Sequence, residues 1–295
     1  MTVTSKNLVH RHLLKGVLLS GMSVLCASPA GAQDSGQEEA ALPIAVQMYT
    51  LRHLGSLDEQ FAAVEQAGVE AVELVGDQDV SAEEMTTLLD KHGLEVISSH
   101  VQLDKLRSDL DEVVAFHKAI GNDTIVIPYL EEEARPTDKA GWQALGEEIG
   151  ELADDLAQQD LHLAYHNHDF EMQSYDGETA LEILLDAAGP EVMAEVDVAW
   201  VARAGLDPAD YLANFEDRLF AIHAKDNAPE GTAEDEKGFA ALDQGVLDWA
   251  AILPAAEAEG NPWYIIEHDQ PADAQAVIEQ GASFLKSTLV DVVKR

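Results

Sequence analysis

Charged, amide and imidazole side chains close one apolar run after another along this 295-residue sequence. Gln47 and Tyr49 follow PIAV, Glu73 lies in VEAVELV, and His100 ends LEVISSH. His166, Asn167 and His168 follow LHLAY, with Glu171 shortly beyond. Asp197 ends VMAEVD, His223 and Lys225 lie in LFAIHAK, and Glu267 and His268 end WYIIEH. Burying that many unpaired charges would cost several kcal/mol apiece, so an inert core has no use for them. A divalent cation removes the conflict by coordinating acids and an imidazole directly. Asp197, His223 and Glu267, from successive apolar runs, form the expected ligand set. Mixed oxygen and nitrogen donors suit Mn²⁺, Mg²⁺, Co²⁺ or Zn²⁺, with positions left open for substrate oxygens. The sequence holds one cysteine, which argues against a structural zinc site.

Each residue also has a plainer reading. Glu73 could cap a loop, His100 could be a core histidine, Lys225 could be an exposed loop lysine, and Asp197 and Glu267 could serve only as salt-bridge partners. His162 is expected to face helices. His53, His92 and His117 are expected to be solvated. The acidic runs at Glu131–Glu133 and Glu147–Asp155 read as solvated faces.

The apolar runs themselves read as eight strands, starting at Pro43, Val69, Leu94, Thr124, Leu161, Val192, Leu219 and Trp263. Amphipathic segments separate them. SLDEQFAAVEQAG has helical spacing, and SAEEMTTLLDKHG opens with a capping-box pair, Ser81 and Glu84, and closes on Gly93. Strand and helix alternating eight times predict a single-domain α/β (β/α)8 TIM barrel over residues 42–295. A doubly wound open sheet would need a glycine-rich phosphate loop after the first strand, and none is present. In a barrel, chemistry gathers at the C-terminal strand ends, where the polar residues lie.

The first 32 residues read as a signal peptide: basic Lys6, Arg11 and Lys15, an apolar stretch, then Ala30-Gly31-Ala32. The stretch is short for a membrane anchor, and Leu25 before Cys26 disfavours a lipoprotein. Residues 33–41 read as a disordered lead-in. The expected location is secreted or periplasmic. Cleavage would remove three positive charges and no acid, taking the formal charge from -39 to -42. Such a charge repels nucleic acid and anionic lipid. The expected partner is a small molecule, with no nucleic acid, no membrane after cleavage, and a homo-oligomer left open.

YHNHDFE, EVDVAWVARAGLDPADYL, IHAKD and GVLDWAAIL together resemble the sugar phosphate isomerase/epimerase branch of the xylose isomerase-like TIM barrel superfamily, over nearly the whole span from VQMYTLR to IIEHD. The resemblance implies a metal on strands five to eight, with His223 as its imidazole ligand and Asp197 and Glu267 as carboxylates. Many relatives end strand five with a glutamate that is both ligand and acid/base. Here His166 takes that position. Glu171 would reach back as ligand and base, or His166 or His168 would ligate instead. The implied activity is sugar isomerisation, epimerisation or keto-sugar elimination, by proton abstraction beside a carbonyl through a metal-held enediolate. Glu267 or Glu171 would take the proton, and His100, His168 and Lys225 would orient hydroxyls or return it. Gln47, Tyr49, Glu73, His166, Asn167 and Trp200 are the expected substrate contacts. Two competitors remain: a non-catalytic periplasmic sugar-binding barrel, and an abasic-site endonuclease-like phosphodiesterase.

Overall fold

The computed structural model describes residues 42–292, so the signal peptide and lead-in expected before Leu42 lie outside the described residues. Eight parallel strands close into a barrel in sequence order. They are β1 (Ile44–Gln47), β2 (Ala71–Val75), β3 (Glu95–His100), β4 (Thr124–Ile127), β5 (His162–His166), β6 (Val192–Asp197), β7 (Leu219–Ala224) and β8 (Trp263–Ile266). β1 closes the cylinder by pairing with β2 on one side and β8 on the other. Around it run α1 (Leu57–Gln66), α2 (Ala82–His92), α3 (Leu103–Ala119), α4 (Lys139–Ala157), α5 (Ala180–Ala188), α6 (Val198–Arg203), α7 (Pro208–Leu212), α8 (Trp249–Ala258) and α9 (Ala274–Val292). The expected TIM barrel is therefore the fold.

Local chemistry explains the boundaries. Ser81 caps α2 through the Glu84 amide, and Gly93 ends it at φ 63, a left-handed turn that glycine adopts without strain. The full reciprocal capping box forms one helix earlier, between Ser56 and Glu59. β4 stops at Ile127 rather than running on to Leu130, because Pro128 has no amide hydrogen for the ladder. α3 starts at Leu103 and bends at Asp109. His117 on this helix is buried rather than solvated, within 3.1 Å of the Asn122 side chain. His162 is exposed, and the two acidic runs do lie mostly on exposed faces.

Strand alternation sets what points inward. Ala45, Ala71, Ile97, Ala221 and Ile265 form a small apolar cluster of their own, apart from the large core between strands and helices. Two residues beyond Ala45, Ala71, Ala221 and Ile265 come Gln47, Glu73, His223 and Glu267, on the same face and one layer nearer the mouth. β3 would break this pattern, but its pairing with β2 skips a residue, from Val72↔Val96 to Glu73↔Ser98. The extra residue, Ile97, flips the alternation and brings Ser98 and His100 to the inside. β7 makes a similar shift against β6, after which Asp197 stands beside His223.

Candidate functional site

The deepest polar layer is built on two carboxylates. Glu73 accepts from Gln47 Nε2 at 2.7 Å and from Ser98 Oγ at 2.6 Å, and its Oε1 lies 2.9 Å from His223 Nε2 and 3.1 Å from His100 Nε2. Glu195 on β6 is fully buried. Three imidazole nitrogens converge on its Oε1: His100 Nε2 and His223 Nε2 at 2.9 Å each, and His166 Nδ1 at 3.2 Å. Glu195 Oε2 has no partner, and His166 Nδ1 has no hydrogen bond of good geometry.

Above this layer sits an ammonium held by acids. Lys225 Nζ lies 2.7 Å from Asp197 Oδ2, 2.6 Å from Glu267 Oε2 and 2.5 Å from Asp269 Oδ1. Asp197 Oδ1 caps α6 through the amides of Ala199 and Trp200. Glu267 Oε2 also meets His223 Nδ1 at 2.9 Å, so the His223 ring spans both layers.

A cavity of about 980 Å³ opens over these layers. His100, His166, His168, Trp200, Glu267 and Asp269 line its inner end, with Tyr49, Tyr129, Phe170 and Arg135 farther out. Arg135 stacks 3.7 Å from the centre of the Phe170 ring and donates to Tyr129 Oη. Aromatic walls around a few polar groups suit a small organic ligand.

Burial and charge pull these groups apart. Burial alone would lower His100, but Glu73 and Glu195 outweigh it and raise it to about 9. Burial is likewise overcome at His223, held up by Glu195 and Glu267. It is overcome again at Glu267, held well below the carboxylate range by Lys225 and His223. Burial wins at Asp197, raised to about 6, at His168, lowered to about 3, and at His166, which falls well below the imidazole range. Among the described residues, two sets of side chains bring possible ligand atoms within 4.8 Å of one another: His100, His166, Glu195 and His223, and Asp197, His223 and Glu267. The second is the set expected from sequence.

Several expected residues stand elsewhere. Glu171 belongs to neither ligand set. It is fully buried, and its two oxygens accept from Tyr165 Oη at 2.9 Å and His168 N at 2.8 Å. Tyr165 precedes inward His166, so it points to the helix layer and takes Glu171 with it. In this geometry Glu171 stands apart from both ligand sets and from the cavity lining. Gln47, Glu73 and Asn167 are fully buried beneath the cavity rather than lining it. Asn167 instead ties β5 to β6, its Oδ1 accepting from Asp197 N at 3.0 Å. Lys225 is 1% exposed and reaches the cavity only through its acidic partners. Glu195 and Asp269 were not foreseen. Alternation gives Glu195 away, since it lies two residues before Asp197 and shares its face.

The wider relationships agree with the fold. No curated protein matches the chain significantly. A sugar phosphate isomerase/epimerase from Parabacteroides distasonis has a similar structure, with TM-score 0.69, 20% identity, and coverage of 88% of this chain and 98% of that one. A probable 3-DHS dehydratase, AsbF, from Bacillus anthracis aligns at TM-score 0.63 and 16% identity over 82% of this chain and 98% of its own. The IOLI protein, solved with a bound zinc atom, aligns at 0.66 and 17% identity over 85% and 97%. At these identities the likeness is one of fold. A family model for the xylose isomerase-like TIM barrel matches residues 61–288, most of the barrel, and so the chain belongs to the xylose isomerase-like TIM barrel family.

Proposed function

We propose that the protein is an exported, metal-dependent carbohydrate isomerase, epimerase or keto-sugar lyase that acts by moving a proton beside a carbonyl. The observation that carries this reading is the convergence of buried imidazoles and carboxylates on the inner end of a cavity walled by aromatic rings. The donors fit a divalent ion: His166 Nδ1 and Glu195 Oε2 are buried polar atoms without hydrogen bonds. Such an ion supplies a Lewis acid that polarises a carbonyl and the hydroxyl next to it. The order of basic residues, apolar stretch and Ala30-Gly31-Ala32 supports export.

The chain's own residues divide the remaining work. Glu267 is the inner carboxylate open to the cavity, and it takes the carbon-bound proton. His168, which lines the same space and belongs to neither ligand set, orients the substrate's hydroxyls. Asp269 and Trp200 bound the sugar's hydroxyl edge, while Tyr49, Tyr129 and Phe170 cover its apolar face. Where a leaving group stands β to the carbonyl, the same abstraction expels it.

The test is a panel of ketoses and 3-keto-glycosides incubated in deuterated buffer and followed by NMR. Deuterium should enter beside the carbonyl of at least one substrate. Stripping the metal should abolish exchange and restoring it should recover it, and Glu267→Gln should slow it about 10²–10⁴-fold. Tight binding of a sugar with neither exchange nor conversion would identify a binding protein instead.

A further inference from the structure

Two ligand sets share His223, and they are not equivalent. In the shallower set a cation is already present. Lys225 Nζ lies 2.7 Å from Asp197 and 2.6 Å from Glu267. Asp197 has no oxygen to spare, because its other oxygen caps α6. A divalent ion placed there would have to expel a buried ammonium or sit against it, and charges of like sign at that range repel strongly. The deeper set carries no such cation. Its three imidazole nitrogens surround Glu195 Oε1 at 2.9–3.2 Å. Donors of a tetrahedral ion with bonds of about 2.0–2.1 Å stand about 3.3 Å apart, so only small shifts would admit one. His166 Nδ1 and Glu195 Oε2 are both buried without a hydrogen-bond partner.

Resting on the metal-dependent reading above, we propose that the ion is held by His100, His166, Glu195 and His223, and that Lys225 stands in the place where the sequence suggests the metal. Glu267 then becomes the carboxylate that fixes a ligand histidine, accepting from His223 Nδ1–H while Nε2 faces the ion. This frees Glu267 to act as the base. Three imidazoles and one carboxylate favour Zn²⁺ or Co²⁺ over the all-oxygen preference of Mg²⁺.

The test measures binding rather than turnover. Full-length protein, stripped and titrated with Zn²⁺ against a chromogenic chelator, should bind one ion that millimolar Mg²⁺ does not displace. His166→Ala and Glu195→Gln should weaken binding at least about 100-fold, whereas Asp197→Asn should stay within about 10-fold. Circular dichroism checks that each variant folds. The wild-type protein loaded with Co²⁺ gives an independent readout by proton NMR. Exchangeable imidazole N–H resonances shifted by the ion should come from His100, His166 and His223. A resonance from His223 alone, or metal lost in Asp197→Asn but kept in Glu195→Gln, overturns this placement while leaving metal dependence intact. A wild-type protein that binds no divalent ion overturns both.

Discussion

Glu171 shows how far a residue's neighbours in the chain can mislead about its neighbours in space. It lies five positions after His166, close enough to suggest a shared site. Yet the short turn at Phe170–Met172 carries it beneath the strand, against Tyr165. Burial raises its carboxyl from 4.5 to about 8 even though Tyr165 and the His168 amide donate to it. The folded protein therefore holds this proton between those two values, where the unfolded chain has lost it. The contribution of this group to stability is fully present below pH 4.5 and is lost as pH rises toward 8, by about 4–5 kcal/mol in all. Glu171→Gln should abolish that decline, seen as a smaller difference between urea midpoints at pH 5 and pH 8 than in the wild type. It should also leave Zn²⁺ affinity within about 3-fold, since it touches no ligand. A pH dependence equal to that of the wild type would show that the carboxyl is ionised in the fold. Asp197, His223 and Glu267 were legible as candidates because each stands at or near the end of an apolar run. Glu195 was not, because it lies inside one, and only strict period-two counting along VMAEVD exposes it.

The elements were mostly legible, since eight apolar runs between amphipathic segments leave little choice but a closed parallel barrel. What could not be read was register. Whether His100 faces the interior depends on one extra residue in β3 at Ile97, and nothing in LEVISSH marks it. The pair of short helices α6 and α7 was also hidden, because one of its caps is Asp197, a residue whose type pointed to chemistry. Helix packing offers a sharper test. α4 and α5 pack closely, and glycines on α4 permit it: a Cβ added at Gly150 would stand 2.5 Å from the Ala188 carbonyl oxygen, and one at Gly146 would strike the Leu184 carbonyl. Both obstacles are backbone and cannot swing aside. Gly150→Ala gains helix propensity of about 1 kcal/mol but forces the helices apart, at a cost of about 1–3 kcal/mol. The expected result is a lower urea midpoint with Zn²⁺ stoichiometry unchanged. A higher midpoint would mean that α5 shifts freely.

At the scale of the molecule the governing fact is a formal charge of -39. The buried acids of the site are matched by Lys225 and the histidines, and most of the remaining acids lie on exposed faces. α4 shows it in small: Glu147, Glu151 and Asp155 are exposed and stand four residues apart, a spacing that sets like charges beside one another. Cross-links such as Arg107 to Glu148, at 2.6 Å, offset only part of this. Repulsion among exposed charges is screened by salt, with a Debye length of about 10 Å at 0.1 M and about 3 Å at 1 M. Relief of about 2 kcal/mol would raise the melting temperature by about 4–8 °C in a protein of this size. That rise should appear between 0.05 and 0.5 M salt, be equal for NaCl and KCl, and flatten above. A rise that continues linearly to several molar would instead mark strengthened apolar burial, which screening does not produce. A melting temperature indifferent to salt would mean that the helices already hold their carboxylates too far apart, or too well paired, for the net charge to weigh on the fold.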